Sequence, residues 1–376
     1  MRILILITFI INSAFAQIDP GTGVEGNCTE GSFLLPATDP LTNTYDCQDV
    51  AIGNLSIVND PTLPLTIRAT GTVTITGTVS FNGSNAVEDN GGAGGPAGGG
   101  NGGTNQFGVA TSGEPAFPNQ GGNNPTDPSC SNPGSAEGSG GGGGSLISFG
   151  DPGFKGTLSS GIGPVITDPG TPGQDLITFN VNNFVFAGSG GGPGGAGCEN
   201  SSTTGQTPGG GGGGGGAIKI ISAGDITITG SINVSGGNGG TTTTISGGGG
   251  GGSGGIIALQ SLSKINLNST LLALGGQGGT NSTPGESGNG GNGAPGYIYL
   301  EDKVDGIRTY TGSFTPPPSP SKQSLNSDIS CGTIAESEES HSNALMLMAL
   351  GFLLALGTKI LFQFPMKLSR KFVHRN

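Results

Sequence analysis

Tryptophan is missing from this 376-residue chain, and histidine nearly so: only His341 and His374 occur. Both flank an apolar stretch near the C-terminus. The central region therefore holds neither a His–Ser or His–Cys catalytic pair nor a His-ligated zinc site. Charged residues make up 10% of the chain, and only 13 are Lys or Arg. Nucleic acid needs clustered basic side chains to neutralise phosphates, so it is not expected as a partner. Apolar residues reach 32%, against ~45–50% in ordinary globular chains, so the middle can bury only a thin core. Runs such as "GSGGGPGG" mimic a phosphate-binding fingerprint, but none sits between a strand and a helix opening, and no nucleotide is expected. The acidic pairs Glu88/Asp89 and Glu301/Asp302 lie beside turns. They would hold Ca²⁺ weakly at most, since nothing has EF-hand or nonapeptide spacing. No metal, cofactor or catalytic residue is assigned, and an enzyme is not expected.

What the chain has in excess is glycine, 80 residues, roughly three times average usage, without the strict Gly-X-Y register of collagen. Its ends are different. Residues 1–16 read as a secretory signal: Arg2, an apolar run over 3–11, and an A-x-A site cleaved after Ala16. Residues 344–364 are mostly apolar with a single charge, Lys359, long enough to span a ~30 Å hydrocarbon core at ~1.5 Å per residue. The basic tail 365–376 follows, and the positive-inside rule places it in the cytoplasm. A single-pass membrane protein is expected, its N-terminal part outside the cell. Between signal and span lie all 25 acidic residues and 7 of the 13 basic ones, a formal charge of −18. That charge argues against docking on anionic lipid. Residues 313–343 read as a Pro/Ser-rich acidic stalk.

Five cysteines remain in the exported part, where disulfides form. Cys28–Cys47 would close a short N-terminal loop within a cap at 17–49, and Cys130–Cys198 would join two Gly/Pro-rich segments. Connectivity does not follow from sequence, so both pairings stand as expectations. Cys331, between stalk and span, is the odd one.

An internal repeat underlies the glycines. "LTIRATGTVTITGTVSFNG" from Leu65, "IKIISAGDITITGSINVSGG" from Ile218 and "IALQSLSKINLNSTLLALGG" from Ile257 align without gaps. Val73 and Ile75 match Ile226 and Ile228, then Ile265 and Leu267. Val79 matches Ile232 and Leu271. "YIYLED" at Tyr297 opens a fourth unit. Apolar and polar residues alternate, the period of a half-buried strand. One unit cannot bury its inner face alone, but stacked units can. The expectation is an all-β parallel β-helix of about five coils over residues 50–312, three strands per coil, with Gly-rich insertions leaving one corner. Residues 50–58 would be part of the first coil, 176–188 another coil, and 145–149 a strand. The insertions are either flexible linker or a bundle of polyproline-II-like chains. Asp225 and Lys264 share one aligned position with Thr72, and a solvated ion pair is expected there. The alternating Thr72, Thr74, Thr76 and Thr78 do not recur in later coils, which argues against an ice-binding grid. Seven N-x-S/T sequons occur, at Asn27, Asn54, Asn82, Asn200, Asn233, Asn268 and Asn281.

The unit "GGGGGGAIKIISAGDITITGSINVSGGNGG" resembles Gly-rich repeat proteins of bacterial cell surfaces, over residues 65–301. The resemblance implies a right-handed β-helix. The C-terminal end resembles bacterial sorting tails, some of which are processed and lipid-anchored near a Cys. Here Cys331 stands 13 residues ahead of Ala344 instead of abutting the span. The combined expectation is a membrane-anchored structural or adhesive surface protein with surface glycans or another cell as partner. A polysaccharide-binding or polysaccharide-cleaving β-helix is the alternative, favoured if three or more acidic side chains cluster with Arg68 or Arg308 on one strand face.

Overall fold

The computed structural model describes residues 18–106, 109–115, 121–123, 125, 139–156, 168–173, 185–197, 207–243, 245–281, 288–303 and 310–318. All belong to the first of the two units into which the chain divides, Met1–Gln323 and Ser324–Asn376. The signal with Ala16, the 344–364 stretch, Arg308, Cys130, Cys198 and Cys331 lie outside the described residues. Among those described, no helix is long and apolar enough to cross a membrane.

The strands are short. In chain order they are β1 (Cys28–Thr29), β2 (Thr44–Cys47), β3 (Val50–Ile52), β4 (Leu65–Ala69), β5 (Val73–Ile75), β6 (Thr78–Ser80), β7 (Asn105–Gln106) and β8 (Val109–Ala110). Then follow β9 (Ile218–Ser222), β10 (Ile226–Ile228), β11 (Ser231–Asn233), β12 (Ile256–Ser261), β13 (Ile265–Leu272), β14 (Tyr297–Asp302) and β15 (Thr311–Thr315). One five-stranded sheet runs β14-β12-β9-β4-β2. A second runs β1-β3-β5-β10-β13-β11-β6, with β15 beside β13. It folds back through β13, whose first half pairs with β10 and second half with β11. Every strand pairing in these two sheets is parallel; the small β7–β8 pair is antiparallel, as are the isolated bridges Asp39–Thr44 and Val87–Asn90. The protein is thus all-β, with parallel strands in curled sheets, as a solenoid requires.

The register is the one the repeat predicts. Leu65 pairs with Ile218, Ile218 with Ile257, and Ile257 with Ile298. Val73 pairs with Ile226 and Ile226 with Ile265. Val79 pairs with Ile232 and Ile232 with Leu271. These side chains form a continuous, fully enclosed core. The alternating partners face outward, because successive side chains on a strand point to opposite faces. Val and Ile suit such strands because their branched side chains pack well on a pleated surface.

Val73 meets Ile226 directly; residues 176–184, most of the further coil expected at 176–188, lie outside the described residues. One expectation changes. Residues 145–149 form bends instead of a strand. Strand β2 of the 17–49 cap pairs with β4. Residues 50–58 do contribute to the stack, through β3 and a bridge from Leu55 to Val79.

Of the two outcomes open for the glycine segments, the described ones take the second. The N–H groups of Gly209, Gly212 and Gly215 donate to the carbonyls of Gly247, Gly250 and Ser253. Those of Gly210, Gly213 and Gly216 donate to Glu88, Ser84 and Phe81. Those of Gly211, Gly214 and Ala217 donate to Gly103, Gly100 and Ala97. Three successive amides thus reach three different neighbours, and the pattern then repeats. That is the three-residue turn of a polyproline-II helix. The neighbouring segment follows the same rule: Gly247, Gly250 and Ser253 donate to Gly195, Gly192 and Ser189. Segments lie so close that a Cβ has no room: one on Gly212 would overlap the carbonyl of Gly237. The glycine bundle covers the outer face of the five-stranded sheet, where Leu146, Val185 and Ala187 pack on Ala217, Ile256 and Ala258 as a second small core.

Candidate binding face

The outer layer of the bundle is built by three segments that continue β6, β11 and β13: residues 82–88, 235–241 and 274–280. They run side by side, Gly83 N–H donating to Ser235 O, Ala86 to Asn238 O, Gly236 to Leu274 O and Gly239 to Gln277 O. One amide in each triplet has no further glycine chain to meet. There a side chain of the preceding segment accepts instead. Asn238 N–H donates to Asn85 Oδ1 at 2.8 Å, and Gln277 N–H donates to Asn238 Oδ1 at 2.8 Å. Likewise Ser235 N–H donates to Asn82 Oδ1, Leu274 N–H to Ser235 Oγ, and Thr280 N–H to Thr241 Oγ1. The result is rows of side chains three residues apart, with glycine between them along 235–241 and 274–280, and Ser84, Ala86 and Val87 intervening along 82–88. Asn85, Asn238, Thr241, Leu274, Gln277 and Thr280 are exposed. Sequence reasoning missed this face. Its signal was the x-G-G-x spacing of "SGGNGGT" (235–241) and "LGGQGGT" (274–280), since only the outward position of each turn has room for a side chain.

The residues singled out from sequence are distributed as follows. Cys28 and Cys47 form the expected disulfide, with Cα atoms 5.7 Å apart. Their sulfurs lie within 4.8 Å of a Glu25 oxygen, but sulfurs joined to each other are not thiolates and offer no metal site. Asp225 and Lys264 occupy one column, yet they do not form the expected ion pair. Asp225 Oδ1 accepts from Ser263 Oγ at 2.6 Å, a short neutral partner requiring no long side chain to be ordered. Glu301 and Asp302 point to opposite faces, so they cannot chelate together. Glu301 accepts from Gln260 Nε2 at 2.6 Å and Tyr299 OH at 3.1 Å, while Asp302 is buried. Glu88 sits in a tight turn at φ 54°.

The densest charge cluster surrounds Arg68. Its guanidinium donates to both oxygens of Asp46, at 2.6 and 3.0 Å, and to Asp19 at 2.8 Å. Burial alone would lower its pKa; hydrogen bonding and attraction from Asp46, then Asp19 and Asp39, hold it above the ordinary arginine value. Asp46 also accepts from Thr22 Oγ1. Beneath the bundle cover, Lys219 is only 4% exposed. Burial drives its pKa down to about 8, against the pull of Glu301. No family model matches this chain, and no curated protein or solved structure shows significant similarity to it.

Proposed function

We propose that this protein is a membrane-anchored surface adhesin, in which a parallel β-solenoid of about five coils carries a glycine bundle along its flank. The signal at 1–16, the stalk at 313–343 and the span at 344–364 supply export and anchoring. One observation carries the adhesive reading: the glycine insertions are held by backbone hydrogen bonds into a layer with a broad, regular exposed face. Flexible linkers would not present side chains at fixed positions. A partner meeting fixed side chains loses less ordering entropy than one meeting mobile ones.

Cells displaying the full chain are expected to attach to glycan-coated surfaces or to other cells more strongly than cells without it. Equal attachment in both would sink adhesion and favour a passive coat. The Arg68 cluster supports a second reading, a polysaccharide-cleaving β-helix, because Asp46, Asp19 and Asp39 gather around one arginine. Both Asp46 oxygens are already held by Arg68, and Asp19 and Asp39 lie outside the strands, so the cluster does not share one strand face and that reading ranks second. Release of reducing ends from polysaccharide by the chain, abolished in Asp46→Asn, would reverse the order.

A further inference from the structure

We infer that the row Asn85–Asn238–Gln277 is a recognition face for a linear, uncharged polysaccharide; this rests on the adhesive reading and names its ligand class. The side-chain oxygens of Asn85 and Asn238 are taken by backbone amides of the adjoining segments, each at 2.8 Å. That bond fixes the orientation of each carboxamide. Both residues are exposed, and neither Nδ2 has a hydrogen-bond partner among the described residues, so both remain available as donors. The three segments continue parallel strands, so successive carboxamides repeat at ~4.8 Å across the face. Along each segment the next side chain follows one three-residue turn later, ~9.3 Å on at ~3.1 Å per residue.

The chemistry of the rows selects the ligand. Neither this row nor the adjacent one, with Ser235 and Leu274, carries a charged side chain; Glu88 stands only at the margin. A phosphate, a sulfated polymer or a basic peptide finds no counter-charge here. A neutral sugar chain offers hydroxyl and ring oxygens to the carboxamide donors and a C–H face to Leu274. Along 235–241 and 274–280 the intervening glycines leave the surface low enough for a polymer to lie flat, with the exposed Val87 beyond Asn85 at its edge. The donors are already ordered by their internal bonds, so binding costs little side-chain entropy. Contacts that are weak singly add when one chain spans the row.

The test uses the full-length chain in native gels containing neutral polysaccharides (β-1,4-glucan, α-1,4-glucan, mannan and galactan). Asn85→Asp/Asn238→Asp keeps the oxygens that accept the backbone amides but replaces the outward donors with charge. Gln277→Ala removes a side chain that makes no hydrogen bond among the described residues. Wild type is expected to be retarded by at least one polymer. The double variant should lose about tenfold or more in affinity, Gln277→Ala several-fold, and Lys264→Gln on a strand face nothing. Retardation by none of the polymers, or undiminished retardation of both face variants, overturns the inference. Cell attachment measured in parallel separates the two readings. Wild type and double variant attaching equally would leave adhesion standing and remove this face. No attachment by either would remove adhesion itself.

Discussion

The carbonyl oxygen of Gly216 fills the space that a Cβ on Gly255 would need. Both residues end their glycine segments just before a strand of the five-stranded sheet, so this contact joins the bundle to the stack. Gly255→Ala is therefore expected to destabilise by about 1–3 kcal/mol or more, the range for forcing extra atoms into a packed interior. Gly31→Ala, where the nearest atom to an added Cβ is a Thr29 hydroxyl at 3.8 Å, should stay within about 0.5 kcal/mol of wild type. Thermal or denaturant melts of the two variants check the contrast.

The Cys28–Cys47 disulfide closes a loop of sequence separation 19. By the chain-entropy account, its loss should cost about 3 kcal/mol. Cys28→Ala/Cys47→Ala should lower the denaturation midpoint, and a reducing agent should do the same to wild type but not to the variant.

Ile228 is fully buried and stands in register between Ile75 and Leu267. Ile228→Ala should cost about 2–5 kcal/mol, because the rungs on either side are held by their own backbone ladders and cannot collapse into the cavity. Ile57→Ala, at a residue 65% exposed, should be nearly neutral. Denaturant unfolding of both variants measures the difference.

Stability should depend on pH in two opposite limbs. Lys219 has its folded pKa lowered to about 8 by burial, while an unfolded lysine titrates near ~10.4. Between these values the unfolded chain binds more protons, so stability rises with pH. Tyr45 works the other way: burial pushes its phenol up to about 12, with Glu25 and Asp60 adding to the shift. Above ~10 the unfolded phenol ionises while the folded one keeps its proton, and stability falls. The melting temperature should climb through the first window and drop through the second. Lys219→Met should flatten the first limb and leave the second.

Where backbone pairing and side-chain period coincide, the fold could be read from the sequence. Val73, Ile226 and Ile265 share a rung because each is the first apolar residue after a small corner residue, and a one-residue slip would turn every inward side chain out. The glycine segments resisted such reading. Their order comes from backbone bonds to segments far away in the chain, and glycine has no side chain to reveal a buried face. The 176–188 stretch has strand-like alternation, but residues 176–184 lie outside the described residues, and the first repeat pairs directly with the second. Alternation marks a half-buried segment without saying which surface it covers. The Asp225–Lys264 pairing failed for a related reason: column position places two side chains side by side but does not decide which bond wins. The carboxamide face was written in the x-G-G-x spacing, which gains meaning only once three neighbours per turn are known.

The pairing of the first repeat with the second has a consequence for assembly order. Thr78 and Ser231 meet by a side-chain hydrogen bond across 153 positions, whereas Asn266 and Thr227 are 39 positions apart. Contacts of short separation close sooner, because less chain entropy is lost before they are rewarded. The repeats beginning at Ile218, Ile257 and Tyr297 should therefore zip up among themselves, as should β1 to β5, where Thr44 already pairs with Thr66 and Val50 with Val73, and the long-range seam between the two groups should close last. Synthesis delivers the amino-terminal group first, so the edge that β4, β5 and β6 offer to the second repeat must wait open until that repeat emerges.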